Sequence, residues 1–394
     1  MKTKQKKVRT IGVVTVARSD YGIYRPILLA IRKQKNLRLH LIVAADHLCR
    51  RRGMTVQEIE SDGFDIGDRI KMSPPSDTPA GIAFAMAKGI EGFAKVFRSR
   101  KPDLLLVLGD RFEMHAAVSA AMPFGMPVAH LHGGEITEGA VDNQFRHSIS
   151  KMSHFHFVAT KENRRRLLRM GEEPWRVIVT GAPALDNVRA MQLMTPAEIE
   201  RETGIKLAQA PLIVTFHSVT LEPDKTALHI GELLAALDRV GLPVLFTYPN
   251  VDMGSRLIVS AIQEYLKTHR DCRLVKSLGT RLYFSVMKHA AAMVGNSSSG
   301  IIEAASLHLP VVNVGNRQGG RLHGRNVMDV QCERTRLAAA IRRVTSPSFK
   351  SRIRGLRNPY GDGNAAARIV SMLSEITLDP RLVMKKWHDA DREK

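Results

Sequence analysis

Short aliphatic and β-branched runs alternate with longer segments whose apolar positions recur at helical spacing, through most of the chain. The runs predict strands over 11–16, 39–44, 104–108, 128–131, 155–159 and 177–180. Between them, 24–32, 82–98 and 113–121 read as amphipathic helices. Strands that are apolar throughout are buried on both faces, which implies a parallel sheet covered by helices on each side. The rhythm breaks after Gly181-Ala182-Pro183, where 188–210 holds a charged helical piece, 196–202, and no strand. It resumes at 212–216, 244–247, 273–275, 292–294 and 311–314. The chain therefore reads as an α/β protein with two doubly wound domains, 1–190 and 211–364, joined by a linker over 191–210 and facing a cleft. A last helix over 365–375, with the tail to 394, is expected to pack back on the first domain. A length of 394 residues suits two cores better than one.

Composition narrows this picture. No apolar run is long enough to span a bilayer. The basic start, 1–9, runs into the first predicted strand without a small-residue cleavage site, so a signal peptide is not expected. Three cysteines, Cys49, Cys272 and Cys332, are too few for a disulfide framework or a cysteine-rich zinc site and suit a reducing cytosol. Against 38 acidic residues stand 59 basic ones, a net charge of +21 that raises nucleic acid as a partner. The densest run, Arg164-Arg165-Arg166 with Arg169, has leucines at helical spacing and reads as a solvated helix face. Aromatics make up 5% and do not interleave with the cations, so base stacking is not supported and an anionic small molecule fits better.

In open parallel sheets, ligands bind beyond the carboxyl ends of the strands, and five polar patches fall there. Leu108-Gly109-Asp110-Arg111 ends one strand; Asp110 is a site carboxylate or a plain helix cap. His130-Leu131-His132-Gly133-Gly134-Glu135, followed by Glu138, Asp142, Arg146 and His147, crowds acids, imidazoles and an arginine into one loop, as acid/base chemistry requires. His130 with His132, and His154 with His156, share strand faces at a spacing that could hold a metal, but neither pair carries an H-E-x-x-H or Cys/His framework, so they read as hydrogen-bonding histidines. His217 closes Thr215-Phe216-His217-Ser218. Gly295-Asn296-Ser297-Ser298-Ser299-Gly300, with Glu303 after it, runs from a strand into a helix. It offers free N–H groups, a helix dipole and three hydroxyls to a phosphate, with Glu303 placed for a ribose diol. A capping box without a ligand is the alternative there. Arg317 and Arg321, in a glycine-rich loop, suit a diphosphate or stand in solvent.

Two motifs fall away. Gly361-Asp362-Gly363-Asn364-Ala365-Ala366 fits a dinucleotide string but follows Asn358-Pro359-Tyr360, not a strand. Neither a nucleophile elbow nor a P-loop occurs, which disfavours acyl transfer and ATP hydrolysis.

Taken in order, the patches closely resemble the hydrolysing UDP-N-acetylglucosamine 2-epimerases of sialic acid biosynthesis and their relatives that act on UDP-diacetylbacillosamine. The likeness runs from Ala17-Arg18-Ser19-Asp20-Tyr21-Gly22 to Asn358-Pro359-Tyr360-Gly361-Asp362-Gly363, nearly the whole chain. It implies two Rossmann-like domains of glycosyltransferase-B-like architecture and a reaction without metal or cofactor. UDP leaves by anti-elimination to a 2-acetamidoglucal, and water then adds to give the 2-epimer, here N-acetylmannosamine from UDP-N-acetylglucosamine. UDP-diacetylbacillosamine is the rival substrate and a glycosyltransferase of the same architecture the rival activity. By resemblance, Asp110 and Asp142 match acid/base carboxylates, and His132 or Glu135 shares that work. Asn143 stands where a second acid is common. His217 matches a histidine near the diphosphate, and Arg18, Arg111, Asn250, Ser297, Ser298, Glu303 and Arg317 match nucleotide-binding positions, beside which Ser299 and Arg321 are placed. A cytosolic homodimer or homotetramer, with no nucleic-acid or membrane partner, is the expected state.

Overall fold

The structure, a computed structural model, describes residues 8–50, 53–76, 78–137, 141–219, 223–249, 254–276 and 278–389. They fall into two compact units, one within Met1–Glu135, Asp142–Asn187 and Gly361–Lys394, the other within Ile136–Val141 and Val188–Tyr360. Residues 191–210 thus lie inside the second unit. Their helix, Pro196–Thr203, is closed by a Thr195/Glu198 capping box and packs on the helix Gly279–His289.

The first unit is a seven-stranded sheet of β1 (Arg9–Thr15), β2 (Leu37–Ala44), β3 (Ile66–Ile70), β4 (Leu104–Leu108), β5 (Val128–Leu131), β6 (Phe155–Val158) and β7 (Val177–Val179). Every pairing is parallel, in the order β3-β2-β1-β4-β5-β6-β7. The second is a six-stranded parallel sheet of β8 (Leu212–Thr215), β9 (Val244–Thr247), β10 (Arg273–Val275), β11 (Ala292–Gly295), β12 (Val311–Val314) and β13 (Val327–Val330). Its order is β10-β9-β8-β11-β12-β13. Both repeat the 3-2-1-4-5-6 winding of dinucleotide-binding folds, so each has a switch point, at β1/β4 and at β8/β11.

The interior strands follow the apolar pattern. Two strands absent from it, β3 and β13, are edges, Ile-Gly-Asp-Arg-Ile and Val-Met-Asp-Val, half exposed and carrying charge. Edge strands lose the two-sided burial that makes a strand visible as an apolar run.

The first helix, Arg18–Lys33, begins six residues before the predicted 24. Asp20 is the reason: its carboxylate accepts from the N–H groups of Val16 at 2.8 Å and Ala17 at 2.7 Å, folding the chain into the first turn. Pro26 sits inside this helix and cannot donate to the Gly22 carbonyl. Asn187 Nδ2 donates to that carbonyl instead, at 2.7 Å, so the broken ladder is repaired from the far end of the same unit.

The helix Ala365–Glu375 has the predicted bounds and completes the first core through Ile369, Val370 and Leu373. Asp186 caps it, accepting from Ala365 N at 3.0 Å and Ala366 N at 2.9 Å. Among the described residues no helix is long and apolar enough to cross a membrane.

Candidate active site

At the β1/β4 switch point the first unit gathers charges that neutralise one another. Arg18 opens the first helix, and Arg111 sits at the N-cap of Phe112–Ala121. Arg111 donates through Nε at 3.1 Å and a terminal nitrogen at 2.6 Å to Glu113, which is buried, and reaches Asp46 at 3.4 Å. Burial works against the guanidinium charge, but Glu113, Asp46 and Asp20 outweigh it and hold Arg111 above its usual range. Asp20 is pushed up to about 6 by burial, opposed by its backbone bonds and by Arg111.

Asp110 is not the cap of the following helix. Its carboxylate pairs with the buried guanidinium of Arg146, on the helix Asp142–Met152, and the same guanidinium donates to Glu135 O at 3.1 Å. Asp142, half-buried, opens that helix four residues before Arg146, on the face that carries it.

His130 donates from Nε2 to Gly109 O at 2.8 Å, so its Nδ1 accepts from Ser150 Oγ at 3.1 Å; burial pushes it down to about 3. His154 Nδ1 accepts from Val128 N at 3.1 Å, and His156 Nε2 meets the buried Glu172 at 3.0 Å. Those three histidines thus make ordinary hydrogen bonds. His132 differs. Its backbone is left-handed, with φ of 61°, its Nδ1 lies 2.6 Å from Glu135 Oε1, and its Nε2 is buried with no partner among the described residues.

At the β8/β11 switch point the second unit is nearly uncharged. Gly295 has φ of 136°, and a Cβ there would strike the Thr215 carbonyl, so the two strand ends close up as they do because this residue is glycine. Asn296, fully buried, accepts from His217 N at 2.7 Å and donates to His217 O at 2.8 Å. Its own carbonyl accepts from Gln318 at 2.8 Å and Arg317 at 3.1 Å. One asparagine therefore ties the loops after β8, β11 and β12 together. Burial, with Arg317 adding to it, pushes His217 down to about 3, so the imidazole is neutral near pH 7.

Ser297 caps the helix Ser298–Ile302, its Oγ accepting from Ser299 N at 3.4 Å. That helix is one turn long and runs into a 3-10 turn, so N–H groups and hydroxyls, more than a macrodipole, characterise the loop. Tyr283, from the helix Gly279–His289, brings its hydroxyl to Ser297, Ser299 and Thr215 and lies near Glu303; burial pushes it up to about 12. Tyr283 and Asn296 are additions to the expected set. Neither stands out in the chain, since Tyr283 is one residue of an amphipathic helix and Asn296 reads as loop. Arg321 is turned elsewhere, to Ile136 O at 3.0 Å and Thr137 Oγ1 at 3.3 Å, inside the same unit. Asn250 and Glu138 lie outside the described residues.

Known proteins can now be set beside this geometry. A family model described as UDP-N-acetylglucosamine 2-epimerase matches residues 29–374. The chain belongs to that family. It is 37% identical over 379 residues to UDP-N,N'-diacetylbacillosamine 2-epimerase (hydrolyzing) of Legionella pneumophila, covering 96% of this chain and 99% of the relative. It is 36% identical over 344 residues to GDP/UDP-N,N'-diacetylbacillosamine 2-epimerase (hydrolyzing) of Campylobacter jejuni, covering 87% and 89%. Among solved structures, the UDP-GlcNAc 2-epimerase of Neisseria meningitidis bound to UDP-GlcNAc superposes with a TM-score of 0.81 at 19% identity, over 93% of this chain and all of that one. Family membership makes the chain an enzyme of the UDP-N-acetylglucosamine 2-epimerase family, and its two Rossmann-like units are of the glycosyltransferase-B-like type.

Proposed function

We propose that the chain is a hydrolysing 2-epimerase that takes UDP-N,N'-diacetylbacillosamine to UDP and the free 2-epimer of the sugar. The observation that carries the reading is the buried His132–Glu135 pair, alongside the ion-paired Asp110. Elimination needs a base for the carbon-2 proton, while the anomeric C–O bond breaks with its electrons going to the diphosphate. Hydration then returns a proton to carbon 2 and hydroxide from water to carbon 1. Asp110, Asp142, His132 and Glu135 handle these protons. Arg18 and Arg111 supply positive charge. In the second unit, Ser297, Ser298, Ser299, Arg317 and the neutral His217 take the diphosphate, and Glu303 the ribose. Asn250 stays in the nucleotide-binding set by its position in the family pattern, whereas Arg321, read from its glycine-rich loop, bonds to Ile136 and Thr137.

The preference for the diacetylated sugar rests on the names of the two relatives at 37% and 36% identity. UDP-N-acetylglucosamine, giving N-acetylmannosamine, is the second reading, favoured by the family description. Feeding purified protein both UDP sugars, and the GDP form of the first, and identifying the free sugar by NMR separates them. Release of UDP with the 2-epimer from the diacetylated substrate supports the proposal. Release from UDP-N-acetylglucosamine alone replaces the substrate, and no release from any of the three defeats the enzymatic reading. The cytosolic dimer or tetramer expected from the family is read from light scattering.

A further inference from the structure

The loop after β5 is held in an unusual way. His132 takes a left-handed backbone although it has a Cβ, a conformation that persists only where the surroundings impose it. Its N–H donates to Phe157 O at 3.2 Å. Two residues on, Gly134 is also left-handed, at φ of 72°, and a Cβ there would lie 2.5 Å from Asn163 O. The next two carbonyls are each gripped by an arginine from a different helix. Arg166, on Lys161–Arg169, donates to Gly134 O, and Arg146, on Asp142–Met152, donates to Glu135 O at 3.1 Å. Arg146 also pairs with Asp110, so one guanidinium fixes the places of two carboxyl-bearing residues. Within the loop so held, Glu135 Oε1 is 2.6 Å from His132 Nδ1, and the buried Nε2 of His132 has no partner among the described residues.

We propose that Arg146 and Arg166 are positioning residues: a two-arginine clamp on consecutive carbonyls that keeps the His132–Glu135 turn strained, with His132 Nε2 presented for proton transfer. This rests on the reading of the site as a proton-transfer centre. The clamp works through backbone oxygens, which side-chain identity alone would not reveal. Arg166 is the informative member, because its contacts are the Gly134 carbonyl and Glu162 of its own helix, at 3.6 Å, whereas Arg146 also pairs with Asp110. Misplacing a reacting group by about 1 Å costs on the order of a hundredfold in rate. Loosening one of the two grips should therefore matter to turnover while leaving the nucleotide sites of the second unit intact.

The test uses the full chain with Arg166→Met, Arg166→Lys and Arg146→Ala, with His132→Gln as background. Kinetic constants for sugar release, UDP affinity and amide hydrogen exchange over 132–135 are measured together. Arg166→Met should lower kcat by about tenfold to a hundredfold with KM and UDP affinity nearly unchanged. In the His132→Gln background the same change should have no further effect, because Arg166 acts through His132. Arg166→Lys, which keeps a cation in the fold but not the forked donor, should fall between. Added guanidinium should restore part of the turnover of Arg146→Ala. Amide protection of the turn should drop in the Arg166 variants while the rest of the unit keeps its own. A kcat within twofold of wild type, an equal loss in the His132→Gln background, or unchanged protection of the turn overturns the proposal. If wild-type protein releases no UDP from any nucleotide sugar, the functional reading fails, and the exchange data decide the clamp alone.

Discussion

The two switch points share one topology and differ in chemistry. Around the ends of β1, β4 and β5 charged groups meet opposite ones, Arg111 with Glu113 and Arg146 with Asp110, and the imidazole of His132 lies against Glu135. At β8/β11 the groups are amide, hydroxyl and a neutral imidazole, joined through Asn296, with Arg317 supplying a cation. Ion pairs and hydrogen bonds fix where the carboxylates and the imidazole sit, which suits proton transfer. Neutral donors on a tight backbone leave hydrogen-bonding capacity to an incoming anion, and the carboxylate of Glu303 lies by Tyr283. In open parallel sheets the fold fixes where ligands approach, and under the proposed function the side chains at each switch point divide the labour.

Breaking the charged side should give the largest effect. Asp110→Asn should lower kcat by about a hundredfold or more while UDP affinity stays near wild type, as measured by turnover and calorimetry. Equal loss of UDP affinity would mean that the two switch points do not divide as described. Next, Asn296→Ala removes the hub of the neutral side and strands the His217 backbone groups in a buried place. A loss of about 2–3 kcal/mol of stability by urea unfolding is expected, with weakened UDP binding. Stability unchanged within a few tenths of a kcal/mol would show that the loops are held by something else. Ser298→Ala should be milder, weakening UDP by up to about tenfold without lowering the melting temperature appreciably. UDP affinity equal to wild type would remove Ser298 from the diphosphate set.

Acid should produce the broadest change, spread over both units. Burial pushes His130 and His217 down to about 3, and His47 and His154 down to about 4. The unfolded chain protonates these rings near 6.5, so it binds more protons than the folded state from about pH 6.5 down to 4, and stability falls as pH falls through that window. Asp20, pushed up to about 6, works the other way: its folded-state preference for the proton is lost as pH rises through about 6. Among the described residues seven imidazoles are pushed down and three carboxyls pushed up, so the urea midpoint should be lower at pH 5 than at pH 7. A higher midpoint at pH 5 would show that carboxylates, and not buried imidazoles, govern the response.

How much of this was legible in the chain depends on whether a feature is local. Interior strands such as β4 and β5 announce themselves because burial on both faces makes them apolar throughout. The edge strands β3 and β13 are hidden because one side of each is bare. The start of the first helix at Arg18 is hidden because Asp20 caps it from inside the first turn, with Ala17 in the ordinary capping place. His132 and Glu135 stand three residues apart, so their pairing lies within reach of sequence. The partnership of Asp110 with Arg146, the hub at Asn296 and the placement of Tyr283 join residues from separate elements, and topology alone brings them together. Arg317 and Arg321 looked equivalent in their glycine-rich loop, yet one turns to Asn296 and the other to Ile136, a distinction set by packing.

The proposed reaction removes and replaces the carbon-2 proton while expelling UDP. The most direct measurement is to run the reaction on UDP-N,N'-diacetylbacillosamine in heavy water and read carbon 2 of the released sugar by NMR. The account predicts one deuterium at that carbon in every product molecule, with inverted configuration. UDP release with the original proton retained at carbon 2 would contradict it.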